Sequence, residues 1–185
     1  MEAIGRFFPL LNTPSNIVIT CHQKPDGDAM GSSLGLYHFL IQLGHKVTVI
    51  SPTNWADFLN WMPGVDLVIN YEQFKHKAQA IIDEADIIFC LDFNILHRTK
   101  HLEKPLAAAN CIKVLIDHHQ QPAEEEFTYG ISLTTKSSTC EMVYDFIVAS
   151  GNQDKINLDV AKSLYTGVMT DTGSFRFHLP LLLYT

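Results

Sequence analysis

"NIVITCHQKPDGDAMGSSLGLYHFLIQLG", residues 16–44, runs from an apolar, β-branched segment through a short polar loop into a helix-spaced one. Asn16–Thr20 is continuous rather than alternating in character, as a strand buried on both faces must be. Leu34, Tyr37, Leu40 and Ile41 recur at helical spacing, and Gly44 stands where a C-terminal cap belongs. Between strand and helix, His22, Asp26 and Asp28 are crowded together. Carboxylates so placed repel one another and lose hydration unless a cation is shared between them.

The same grammar repeats downstream. Lys46–Ile50 "KVTVI", Asp86–Asp92 "DIIFCLD" and Cys111–Asp117 "CIKVLID" are further continuous apolar runs, and "DLVIN" around Leu67 is a weaker fifth. The spacing predicts helices over 72–85, over 137–151, where Ser138 and Glu141 are spaced as a capping box, and from Asn157 toward Asp171. Strands alternating with helices predict an α/β fold, a doubly wound and mostly parallel sheet. Neither an internal repeat nor a low-complexity linker is present. The chain closes on an apolar run, "HLPLLLYT", with no cap.

With 185 residues the chain is long enough for one sizeable core, and 46 % hydrophobic and 18 % charged residues fit an ordinary globular protein. A net charge of −7 argues against long duplex DNA and anionic membrane surfaces as partners. A short phosphate-bearing substrate stays open, because a local metal cluster reverses the field at one spot. Cys21, Cys90, Cys111 and Cys140 form no C-x-x-C pair and read as buried free thiols. The first residues lack a basic segment and a cleavage site, and no run reaches the ~18 apolar residues that span a bilayer. A cytoplasmic protein is expected.

Four places put acids or imidazoles at a strand's carboxyl end or a helix end: His22/Asp26/Asp28, Asp92, Asp117-His118-His119, and Asp171. Ligands of open parallel sheets bind outside the carboxyl ends of the strands, so three of the four are expected to converge. Carboxylate with imidazole and no thiolate suits manganese, magnesium or iron better than structural zinc. Six candidate ligands suit two ions, roughly 3.5–4 Å apart, and Asp92 is placed to bridge them.

In this order, "HQKPDGDAMGS", "LDFN", "IDHH" and "GVMTDTGSFRF" resemble the four motifs of the DHH phosphoesterases, with the nearest likeness to the bacterial nanoRNase/pAp phosphatase branch. The resemblance covers about Asn16 to Phe177. It implies hydrolysis of short oligoribonucleotides or of 3′-phosphoadenosine 5′-phosphate with two Mn2+ ions, Mg2+ or Co2+ being substitutes. It assigns His22 and Asp26 to one ion and Asp28, His118 and Asp171 to the other, with Asp92 bridging. His119 is assigned to the scissile phosphate and Asp117 to an imidazole that it fixes by hydrogen bond. The first motif, with His22, is unlike that of the RecJ exonucleases. The resemblance implies a catalytic domain over 1–177, normally followed by a smaller DHHA1-type substrate domain. The chain departs from that pattern, with an atypical tail over 178–185 and the substrate domain expected to be absent, and a homodimer is compatible with it. Family II pyrophosphatases and cyclic-dinucleotide phosphodiesterases share the metal residues, and a metal-binding fragment with little turnover is the non-enzymatic alternative.

Plainer readings stand beside these. Asp28 and Ser32 would serve as caps for the helix that follows, Asp92 as a strand-end residue, and Asp171 as a turn residue. His38, His45, His76, His97, His101 and His178 read as surface or helix-face residues. Glu124–Glu126 reads as a solvated loop, while Lys24, Arg98 and Arg176 are left open.

Overall fold

Continuous apolar strands become, in three dimensions, the middle layer of a sandwich. The structure, a computed structural model, describes residues 1–176. In chain order the elements are β1 (Glu2–Ala3), β2 (Asn16–Thr20), α1 (Gly27–Gln42), β3 (Lys46–Ser51), β4 (Ile69–Asn70), α2 (Lys75–Asp83), β5 (Ile87–Leu91), α3 (Glu103–Ala108), β6 (Ile112–Asp117), β7 (Tyr129–Ser132), α4 (Thr139–Ala149) and α5 (Leu158–Asp171). Among the described residues the strands form one all-parallel sheet, ordered β1-β7-β6-β5-β2-β3-β4. The expected α/β, doubly wound class is therefore the observed one. The predicted tail, His178–Thr185, lies outside the described residues.

Successive side chains of each strand enter opposite layers. Ile17 and Ile19, Ile87, Phe89 and Leu91, and Val114 and Ile116 pack beneath α1, α4 and α5. Val18, Ile88, Cys90 and Leu115 pack beneath α2, α3 and the 3-10 segment Leu96–Leu102. At about 1.5–3 kcal/mol for each large apolar side chain, this two-sided burial is what the chain's β-branched runs contribute to stability.

The first residues belong to the fold. Glu2 N–H donates to Thr128 O at 2.8 Å, so β1 pairs along the edge of β7. Phe7 is fully buried, with its ring centroid 5.3 Å from that of Phe89 at 87° and 5.9 Å from that of Tyr129.

Helix α5 lies against α1 at unusually close range. A Cβ on Gly31 would sit 2.6 Å from Ser163 O, and one on Gly167 would sit 2.8 Å from Asp28 Oδ1 and 3.0 Å from Asp28 Cα. Only glycine permits that approach, and Asp171 stands one helical turn beyond Gly167.

Several local expectations shift. The fifth strand shrinks to Ile69–Asn70, because Gly64, at φ 79°, launches a 3-10 turn over Val65–Leu67. His45 is buried rather than surface, cross-linking Ser15 N–H (3.2 Å) and Leu11 O (3.1 Å), and burial pushes its pKa down. Glu126 is not simply solvated, since it accepts from Leu96 N–H at 2.8 Å. All four cysteines are free, and no helix among the described residues is long and apolar enough to cross a membrane.

Candidate metal centre

The three adjacent central strands β6, β5 and β2 carry the chemistry at their carboxyl ends. From β2 the chain advances through β3 and β4 to one edge; from β5 it advances through β6 and β7 toward the other. The junction of β2 and β5 is thus the topological switch point, where a doubly wound sheet opens a crevice. His22, Asp26 and Asp28 follow β2, Asp92 follows β5, and His118 and His119 follow β6, so Asp92 stands between the other two groups.

Each side chain is set by local structure. Asp26 is the N-cap of α1, its Oδ1 accepting from the N–H groups of Asp28 (3.0 Å) and Ala29 (3.1 Å). Asp28 does not cap its own helix. Buried at 1 % exposure, it accepts from the N–H groups of Thr139 (2.7 Å) and Cys140 (2.9 Å), the first residues of α4. Those donors have no partner inside their own helix, and the helix dipole favours an anion there. Ser32 donates to Ala29 O instead of accepting from a helix N–H.

Asp92 has a left-handed backbone, φ 63°, which aspartate tolerates better than most residues. Its Oδ2 lies 3.4 Å from His22 Nε2, while its Oδ1 lies 3.5 Å from His118 Nε2 and 3.8 Å from His119 Nδ1. His118 Nε2 is also 3.4 Å from Asp171 Oδ2 and 3.8 Å from Asp28 Oδ2. His22 Nε2 is 3.9 Å from Asp26 Oδ1. Seven of the eight predicted site residues therefore sit within one cluster, and the eighth, Asp117, joins it through His119. Their atoms form three sets, each mutually within 4.8 Å: His22/Asp26/Asp92, Asp28/His118/Asp171 and Asp92/His118/His119.

The donor set fits divalent cations. Among the described residues no lysine or arginine pairs with Asp26, Asp28, Asp92 or Asp171; their only ion-pair partners are imidazoles. His22 Nδ1 contacts the Gln23 carbonyl at 2.7 Å, which can only accept, so the proton belongs on Nδ1 and Nε2 keeps its lone pair facing the carboxylates. His119 differs: the nitrogen it turns toward Asp92 is engaged by Asp117 Oδ1 at 2.7 Å, and its backbone N–H donates to Asp117 Oδ2 at 3.1 Å.

With no cation present, the cluster holds protons. Burial, then the facing Asp92 charge, pushes Asp28 up to about 8. The Asp92 hydrogen bond lifts His118 to about 9 against the opposing effect of burial. For His22, burial is outweighed by Asp92 and the Gln23 carbonyl, and its pKa rises. For Asp92, burial is outweighed by His118 and His22, and its pKa falls. Groups whose folded pKa is raised stabilise below their unfolded value and lose that contribution as pH climbs through the folded one. The metal-free domain is therefore expected to lose stability from pH 7 to 9, as Asp28 and His118 shed protons beside Asp92. A cation competes with those same protons, so Mn2+ should bind more tightly across that interval and raise Tm more at pH 8.5 than at pH 6.5. Thermal melts with and without Mn2+ at the two pH values check this; an equal shift at both would contradict it.

Two features of the cluster escaped the sequence reading. One is the start of α4, where Ser138 caps the helix by accepting from Glu141 N–H at 3.0 Å. The predicted capping box gave the helix start but not that Thr139 and Cys140 face Asp28. The other is the glycine contact that admits α5, signalled by Gly27, Gly31 and Gly35 at four-residue intervals.

This fold and order of motifs place the chain among known proteins. The model of the "DHH family, N-terminal domain" matches residues 16–168, and the chain belongs to that family. It is similar to the bifunctional oligoribonuclease and PAP phosphatase NrnA of Thermus thermophilus, 31 % identical over 87 % of this chain and 44 % of that protein. It is similar also to the cyclic-di-AMP phosphodiesterase GdpP of Bacillus subtilis, 24 % identical over 90 % of this chain and 26 % of that one. Among solved structures, an exopolyphosphatase-related protein from Bacteroides fragilis superposes with a TM-score of 0.91 at 43 % identity, over 94 % of this chain and 51 % of that chain. The chain spans about half the length, or less, of each of these proteins.

Proposed function

We propose that this domain hydrolyses phosphoesters of short oligoribonucleotides or of 3′-phosphoadenosine 5′-phosphate, using two divalent cations, manganese first among them. The observation that carries the reading is the division of ligand atoms about one carboxylate, with Asp92 Oδ2 facing His22 and Oδ1 facing His118. In this reading His22 and Asp26 hold one cation, Asp28, His118 and Asp171 the other, and Asp92 both. Bound there, such cations would supply positive charge against the phosphoryl group and would lower the pKa of a water toward neutrality.

The chain's own groups supply the rest. Asp117, fully buried, locks the His119 ring through Nδ1 and leaves Nε2 as the nitrogen that orients the phosphate or protonates the leaving oxygen. Helix α4 directs its N-terminal donors onto Asp28, keeping that carboxylate in place as charge changes around it. The NrnA likeness favours the oligoribonucleotide and PAP substrates. The GdpP likeness favours a second reading, cleavage of a cyclic dinucleotide. The free thiols suit a reducing, cytoplasmic setting.

The test is hydrolysis by the purified chain, loaded with Mn2+, of 3′-phosphoadenosine 5′-phosphate, a two-to-five-nucleotide RNA, cyclic di-AMP and pyrophosphate. Preference for the first two supports the reading; cyclic di-AMP alone favours the second, and pyrophosphate alone overturns both. His119→Ala should lower turnover by about 10²–10⁴-fold, the usual worth of a positioned proton donor, with two Mn2+ still bound. Loss of a metal in that variant would mean that His119 is a ligand instead.

A further inference from the structure

We infer that Thr139 is a positioning residue that sets the orientation of the Asp92 carboxylate and its distance from Asp28, and through them the separation of the two cations. The inference rests on the two-cation reading above and goes beyond it, since Thr139 belongs to none of the clustered acids and imidazoles.

Thr139 is the first residue of α4 and is fully buried. Its backbone N–H donates to Asp28 Oδ2 at 2.7 Å, and its hydroxyl donates to Asp92 Oδ1 at 3.0 Å. One residue thus ties together two carboxylates that come from different strand ends and face different ligand sets. The carboxylate torsion of aspartate is broad and has no steep rotamer well of its own. What holds Asp92 Oδ1 toward His118 and Oδ2 toward His22 must therefore come from its partners, and the Thr139 hydroxyl is the neutral donor among them. Helix α4 also carries Ser138 as N-cap and the Asp28 bonds to its first turn, so the hydroxyl is presented from a rigid base.

Valine reproduces threonine's volume and keeps the N–H bond to Asp28 while deleting only the hydroxyl. Serine keeps the hydroxyl and deletes only the methyl. In Thr139→Val the second Mn2+ is expected to bind about 10- to 100-fold more weakly, the usual cost of losing a partner that orients a ligand. The exchange-coupled spectrum of a manganese pair should weaken or vanish in electron paramagnetic resonance. Thr139→Ser should restore both. Calorimetric titration with Mn2+ and the spectra of the loaded proteins are the readouts, independent of turnover. Wild type with a coupled pair and Thr139→Val indistinguishable from it would overturn the role of Thr139. A serine variant as impaired as the valine one would overturn it too, by pointing to packing rather than the hydroxyl. Wild type without a coupled pair would instead overturn the two-cation reading itself. Should the valine variant not fold, Thr139→Ala against Thr139→Ser makes the same comparison.

Discussion

Asp92→Asn is expected to retain the fold and lose manganese-dependent hydrolysis by roughly 10²- to 10⁴-fold, with no more than one Mn2+ bound. The carboxylate is 2 % exposed and stands between His22 at 3.4 Å and His118 at 3.5 Å, with His119 at 3.8 Å, so its charge joins the two groups of ligands. A loss of two to four decades in turnover corresponds to about 3–5 kcal/mol of transition-state stabilisation, at about 1.4 kcal/mol per decade. Asparagine is the informative replacement. At φ 63° an alanine would add about 1–2 kcal/mol of backbone strain, and a loss of activity would then mix chemistry with folding. Asparagine occupies the left-handed region readily and still accepts the Thr139 hydroxyl. Metal analysis and turnover of a variant with unchanged circular dichroism decide the matter, and wild-type values in both would refute the bridging role.

Gly167→Ala is the second large effect. In an open helix this change stabilises by about 1 kcal/mol through propensity. Here the added methyl meets Asp28 Cα at 3.0 Å and Asp28 Oδ1 at 2.8 Å, with the Cys140 thiol closer still. Backbone cannot yield as a flexible side-chain tip does, so overpacking of about 1–3 kcal/mol outweighs the gain. Net of the propensity gain, up to about 2 kcal/mol is lost, so Tm should fall by as much as about 8 °C, and turnover should fall further, because displacing α5 carries Asp171 away from His118. Gly5→Ala, whose methyl meets nothing within 4 Å, is the control. A Gly167→Ala variant as stable and active as that control would show that α5 has room to spare.

The sheet's centre was readable because β2, β3, β5 and β6 are buried on both faces and need uninterrupted apolar runs. The edges were not. Tyr129–Ser132 is four residues with a glycine at its middle, and Glu2–Ala3 is a two-residue strand that exists only because β7 offers it a partner. Convergence of the acids and imidazoles followed from topology, since adjacent parallel strands must end on one side. The Asp28 contact with α4 did not, because it joins positions 111 and 112 residues apart and no local spacing encodes it. Thr139 was hidden for the same reason: a threonine at a helix start reads as capping chemistry until the fold shows what its hydroxyl faces.

The pairing of β1 and the burial of Phe7 bear on where this unit can be cut. The family match opens at residue 16, yet excision there would strip the flank of β7, leaving its hydrogen-bonding groups as a template for aggregation. It would also hollow out the aromatic cluster of Phe89, Tyr129 and Phe146. The cooperative folding unit therefore extends upstream of the segment that carries the shared motifs, and a purification tag joined directly to Met1 presses against a sheet margin rather than a free end.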